Sequence, residues 1–267
     1  RRDVPVIQET VKESLSNYIE LEEILEMPHG FVHPLKDAKA VTSYAGVEEA
    51  ARVLRGRWSL GSGPIPNLTA LLEERNIKVV RLDVSELFDG FRTFVIQVMP
   101  VIVYNARNAD SPDKVRHKLL HRLAQILLKF GAVSSLKKAE LRQQFSGAVL
   151  LPEDTLKAEL GIVRRKLSAA ELGYLKRRYG ISMEGIVKRA QACGIITKVY
   201  CQQFLSFMQR MDWIGKEPMV YEGTEESGRF IQLLFRGVIE GMVSVSKAAA
   251  LSNQSLSAFL SAHPPTF

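Results

Sequence analysis

Apolar positions recur every three or four residues over most of this chain, and change to short strand-like runs only between about residues 77 and 105. Ile7, Val11, Leu15, Tyr18 and Leu21 or Ile24 form one stripe of a helix across residues 5–27, whose other face is rich in Glu. After loop residues His29, Gly30, His33 and Pro34, a second helix is expected from Thr42 or Ser43 through Val47 to Trp58. Gly61 to Pro66 ends it as a rigid turn, because the spacing and the Gly-Lys-Ser/Thr of a phosphate loop are missing. Asn67 caps a helix over Leu68–Arg75. Strands are predicted at Ile77–Leu82, Thr93–Met99 and Val101–Asn105, the last two broken by Pro100, with Phe88-Asp89-Gly90-Phe91 as a turn.

A polar loop, Asn108–Pro112, leads into Val115–Phe130, VRHKLLHRLAQILLKF. Leu119, Leu123, Ile126, Leu127 and Phe130 give this segment an apolar side, so most of it must be buried. A helix from about Leu136 to Leu151 turns Leu141, Phe145, Ala148 and Val149 inward. Beyond Pro152 the pattern is helical throughout. Ser168 caps a helix through Arg178, Tyr179-Gly180-Ile181-Ser182 turns the chain, and a second helix runs to Cys193 before Gly194, which is helix-turn-helix spacing. Lys198–Met211, Arg229–Met242, Ser244–Leu251 and Ser255–Leu260 complete the helices. A small sheet packed by helices, followed by helices alone, is an α+β arrangement rather than an alternating βαβ series.

Composition supports a packed globular chain: 46% of its 267 residues are hydrophobic and 24% charged. The segments before Pro152 contain no apolar run of the ~18 residues that a membrane span needs, nor do those after it, and Arg1-Arg2-Asp3 does not open a secretory signal. The expectation is a cytoplasmic protein without a membrane partner. Cys193 and Cys201 lack a CxxC pattern and read as reduced, buried thiols. Charge is uneven: residues 164–210 hold ten basic and two acidic residues, and residues 1–28 hold three basic and seven acidic. The basic segment matters for function, because nonspecific affinity for nucleic acid grows with the number of phosphates neutralised. Lys176, Arg177, Arg178, Lys188 and Arg189 fall on the two helices of the helix-turn-helix-like unit and are its DNA-binding candidates, against the alternative of a solvated face.

The Val115–Phe130 helix invites a second reading. A helix-borne zinc peptidase uses two histidines at i and i+4, with a Glu after the first as general base: the HExxH pattern. Here the chain reads His121-Arg122-Leu123-Ala124-Gln125. A guanidinium cannot accept a proton at neutral pH, and an amide oxygen is a poor zinc ligand beside imidazole. His121, Arg122 and Gln125 therefore mark a degenerate site with no catalytic residue, and no cofactor is expected. His117 and His121 are themselves an i,i+4 pair, and with Glu140 they form the residual candidate set for zinc.

The order of these motifs resembles the ImmA/IrrE (DUF955) zinc peptidase-like family. The resemblance rests on Leu54-Arg55-Gly56-Arg57-Trp58, Gly63-Pro64-Ile65-Pro66-Asn67-Leu68, Phe88-Asp89-Gly90-Phe91, Pro100-Val101-Ile102-Val103, the His121 helix, and Phe145 through Leu150-Leu151-Pro152. It covers about Val41 to Pro152 and continues loosely through Trp213. It aligns Arg116 and Leu119 with the family's Arg and Leu, His121 with its first metal-binding His, and Arg122 and Gln125 with its catalytic Glu and second His. It implies a zincin-like fold and a division into a helical extension (1–40), a degenerate peptidase-like domain (41–160), a basic helix-turn-helix-like region (161–215) and a helical tail (216–267).

Family members commonly follow an XRE-type helix-turn-helix and cleave repressors in phage, mobile-element or stress regulation. The expectation is thus an inactive peptidase-like regulator in transcriptional or toxin-antitoxin control, working on another regulatory protein or repressor and on DNA. The alternative is a divergent zinc endopeptidase that cleaves a repressor with rearranged ligands. The sequence leaves the oligomeric state open.

Overall fold

The structure, a computed structural model, describes residues 4–28, 30–84, 90–95 and 99–262. The helix stripe of the N-terminal segment becomes α1 (Val4–Ile24). Ser43 and Asn67 cap α2 (Tyr44–Arg57) and α3 (Leu68–Glu74), each accepting from a backbone N–H in the first turn. Three strands follow: β1 (Lys78–Leu82), β2 (Gly90–Val95) and β3 (Met99–Asn105). They lie in the order β1-β3-β2, with β3 parallel to β1 and antiparallel to β2.

Two strand expectations change. Gly90 and Phe91 belong to β2 rather than to a turn, while Phe88 and Asp89, like His29, lie outside the described residues. Pro100 does not break the third strand. It is the second residue of β3, before the first β1 partner pair, Lys78 with Val101, so its missing N–H takes nothing from the parallel ladder.

Residues 106–108 form a short 3-10 turn before α4 (Pro112–Leu127), which starts with Pro in its first turn, and α5 (Ser135–Leu150) packs against it. A helix that the apolar pattern did not single out, α6 (Glu153–Leu160), begins directly after Pro152. Next come α7 (Ala169–Tyr179), α8 (Met183–Ala192) and α9 (Lys198–Arg210). α7 opens with a capping box in which Ser168 and Glu171 satisfy each other's backbone N–H groups. It ends at Gly180, in the left-handed region at φ 60°. Residues 211–228 contain no helix or strand, and α10 (Arg229–Ile239), α11 (Val245–Leu251) and α12 (Leu256–Ala262) finish the chain.

β3 is buried from Pro100 to Asn105 because the sheet is covered on both faces. Ile102 and Tyr104 join the main core with α4, whereas Val101 and Val103 face Val11 and Leu15 of α1. α1 is thus docked on the body, and its far end packs with α10, α11 and α12 in a separate apolar cluster. The main core runs without a break from Leu35 to Met208, so the boundary expected between residues 160 and 161 is not a seam in the packing. No helix among the described residues is long and apolar enough to cross a membrane.

Candidate functional site

The inward face of α4 is apolar through Leu119, Leu120, Leu123, Ala124 and Leu127, all buried. Its other side forms one wall of a cleft of about 760 Å³, closed by α5, α7, α8 and residues 215–220. His117, Lys118, His121 and Arg122 line this wall. The two imidazoles stack with ring centroids 6.3 Å apart, as an i,i+4 pair on one helix face should. Gln125 is not among the lining residues. Glu140 does not join the histidines either: it is exposed at the start of α5, with an oxygen 2.9 Å from Lys137 Nζ.

A zinc site on this wall therefore fits poorly. Two imidazoles share the cleft with Lys118 and Arg122, whose charges oppose a divalent cation, and the proposed acidic ligand points elsewhere. Among the described residues, the metal-type donors that do lie within 4.8 Å of one another are Glu48, Glu153 and Cys193, which no sequence spacing had suggested. That group is committed to other partners. Glu48 takes both ends of the Arg189 guanidinium, Glu153 pairs with Lys157, and burial pushes the Cys193 thiol up to about 11, away from the thiolate a metal needs.

The five basic residues proposed to meet DNA do not share a face. Successive helix residues turn by about 100°, so Lys176 points inward while Arg177 and Arg178 point out. Lys176 is buried, with Nζ 2.8 Å from Glu217 and 3.1 Å from Asp113. Burial alone would depress its pKa, but the two carboxylates outweigh that and raise it. Arg189 is also buried, donating to Glu48 and to the Leu151 carbonyl. These two are corrected from DNA-facing to internal. Lys188 lies in the cleft wall beside Glu184, and Arg178 is on the surface beside Glu159.

The residues that hold the site together were largely missed. Arg116 is fully buried; it donates to Glu225 at 2.6 Å, to the Tyr221 hydroxyl at 3.1 Å and to the Ile65 carbonyl at 2.9 Å. The second oxygen of Glu225 accepts from the N–H groups of Leu68 and Thr69 at the start of α3, where a carboxylate is favoured. Burial nonetheless raises the Glu225 carboxyl above its ordinary value, against the pull of Arg116. Gly180 leaves room for this arrangement, since a Cβ there would sit 2.6 Å from Arg116 Nε. Eight residues before Glu225, Glu217 joins Lys176 and caps α8 by accepting from Met183 and Glu184. Residues 217–225 are thus a strap pinned at both ends by buried ion pairs, and Glu217, Met219 and Val220 at its start line the cleft. One signal was available: Arg116 is three, four and seven residues before Leu119, Leu120 and Leu123, on the apolar stripe, where a charge demands a partner.

Arg55 has a similar internal role. It donates to the carbonyls of Gly61, Gly63 and Val149, so the Gly61–Gly63 turn is a clamp around a buried guanidinium and not a phosphate loop.

Among curated proteins no relative matches the chain. Residues 72–191, from the end of α3 through the sheet, the histidine helix and α8, match the family model described as the IrrE N-terminal-like domain. The matched span holds the parallel strand pair, the helix that follows the central strand and the α7–α8 pair, and over these residues the chain is similar to the ImmA/IrrE family of peptidase-related proteins.

Proposed function

We propose that this chain is a regulatory member of that family that no longer hydrolyses peptides and acts by binding another regulatory protein, in the cytoplasm, with a secondary contact to DNA. The observation that carries the reading is Arg122. It lines the cleft one residue after His121, where a peptidase places the carboxylate that takes a proton from zinc-bound water. A cation there supplies no base and disfavours the metal. The exposed Arg177 and Arg178, close in sequence to Arg165 and Lys166, support a DNA footprint smaller than the composition suggested.

Restoring the lost groups tests this reading. The purified chain is expected to carry zinc well below one equivalent and to leave candidate repressors uncut, whereas an Arg122→Glu/Gln125→His variant should gain zinc. Stoichiometric zinc in the unaltered chain, lost from a His117→Ala/His121→Ala variant, would overturn it in favour of a divergent endopeptidase. For the DNA contact, binding to duplex that ignores both salt and an Arg177→Gln/Arg178→Gln change removes that part of the proposal.

A further inference from the structure

Between α6 and α7 the chain holds two β-branched residues out in solvent. Ile162 and Val163 are 73% and 76% exposed, although isoleucine and valine are among the residues most often found inside. Their exposure is built into the loop. Leu160 before them and Leu167 after them are buried in the main core. Gly161, at φ 91°, turns the backbone out of α6, a conformation open to glycine, and Arg164 brings it back. The Arg164 N–H donates to the Ile195 carbonyl at 2.7 Å, and its guanidinium donates to the Leu160 carbonyl at 2.8 Å and to Glu171 at 2.9 Å. The Tyr200 hydroxyl then accepts from the Leu167 N–H at 2.9 Å and donates to the Leu167 carbonyl at 3.3 Å. These bonds to Ile195 and Tyr200 lay the loop against the start of α9, whose first turn carries Lys198 and a third exposed β-branched residue, Val199, at 63%.

Charge completes this surface. Arg165, Lys166 and Lys198 are exposed and form no ion pair among the described residues, unlike Lys176, Lys188 and Arg189 of the same basic segment. From this we infer that residues 161–166 and the start of α9 form the docking surface for a protein partner whose contacting segment carries acidic and apolar side chains together. The inference rests on the reading that the chain acts by binding another regulatory protein, and it names the surface and the chemistry of that contact. Side chains stiff at χ1 lose little rotamer freedom when a partner covers them, which suits Ile162, Val163 and Val199 to the centre of an interface. The three cations beside them favour an acidic rim on the partner and oppose a basic one. Duplex DNA fits less well, because a phosphate backbone takes charge and hydrogen bonds and gains nothing from covering aliphatic side chains. A lipid surface also fits less well. Segments that enter the bilayer interface rely on Trp, Phe and Leu, and neither the loop nor the first turn of α9 contains one.

Fluorescence anisotropy of a labelled, helix-forming peptide of about 15 residues, with Glu on one face and Leu on the other, tests the inference on the full chain. The peptide is expected to bind and to weaken as salt is raised, and counterparts with Gln for Glu or Ser for Leu should bind less tightly. An Ile162→Ser/Val163→Ser variant should lose about tenfold or more in affinity, as truncated interface anchors do. Arg165→Gln/Lys166→Gln should also bind more weakly, with a flatter salt dependence. All four side chains are exposed, so both changes leave the core intact; Leu136→Ser, at an exposed aliphatic position on α5, should bind like the unaltered chain. The inference falls if the acidic peptide does not bind at millimolar concentration, or if Leu136→Ser weakens it as much as the loop variants do. It also falls if duplex DNA or phosphatidylserine vesicles bind through Arg165 and Lys166 while the peptide does not. Zinc measured on the same sample separates this surface from the reading it rests on. A zinc-loaded chain that binds the peptide through these residues supports the surface and overturns the regulator reading, and a zinc-free chain that does not bind overturns the surface alone.

Discussion

The two sides of α4 carry similar residues and do opposite things. On one side Arg116 is fully buried, its guanidinium shared among Glu225, Tyr221 and the Ile65 carbonyl, so its charge is spent on holding the strap. On the other side Lys118 and Arg122 line a cleft together with His117 and His121. The same division runs through the basic segment, where Lys176 and Arg189 are internal and Arg177 and Arg178 are on the surface. Positive charge in this chain is therefore two populations, one buried in the frame and one at the surface or on the cleft wall. Net charge counts them together, and only the second can act on a partner.

The sharpest way to break the comparison is to cut the clasp. Arg116→Ala leaves Glu225 buried without its partner, which typically costs about 3–5 kcal/mol, so this variant should show a clear drop in the urea midpoint and rapid proteolysis within residues 211–228. Equal stability of variant and parent would mean that the clasp is not structural. A smaller effect is expected between two arginines of the basic segment. Arg189→Ala removes hydrogen bonds to a carboxylate and to a carbonyl and should cost roughly 2–3 kcal/mol, whereas Arg177→Ala should stay within about 0.5 kcal/mol. Similar losses for both, measured by denaturant unfolding, would erase the distinction between the two populations.

The smallest effect is a pH dependence of the clasp. Burial raises the Glu225 carboxyl above 4.5, so its contribution to stability is fully present below that value and is lost as pH rises through the raised one. Relative to Glu225→Gln, which does not titrate, the unaltered chain should lose stability as pH rises above 4.5. The opposite slope would show that Arg116 overcompensates the desolvation of the carboxylate.

How much of this was legible in the sequence can be said residue by residue. The stripe through Leu119, Leu123 and Leu127 placed α4, Ser43, Asn67 and Ser168 placed helix starts, and Gly180 and Gly194 placed stops. These signals are local, set by helix geometry and by the hydrogen bonds of one turn. Pro100 misled because a proline's effect depends on which neighbour its edge faces, and that is a property of the sheet. Lys176 and Arg189 misled for a related reason. Their sequence neighbours are basic, but the carboxylates that neutralise them, Glu217 and Glu48, are 41 and 141 residues away.

By itself, then, the sequence determined the helices, the small sheet, the family resemblance and the presence of Arg122 directly after His121, because each of these depends on residues within a few turns of one another. Only the tertiary structure decided which charges are buried in the frame and which lie on the cleft wall or the surface. That choice is made by long-range burial: a cation folded against a carboxylate distant in sequence becomes part of the frame, and no local pattern shows which cations will meet one.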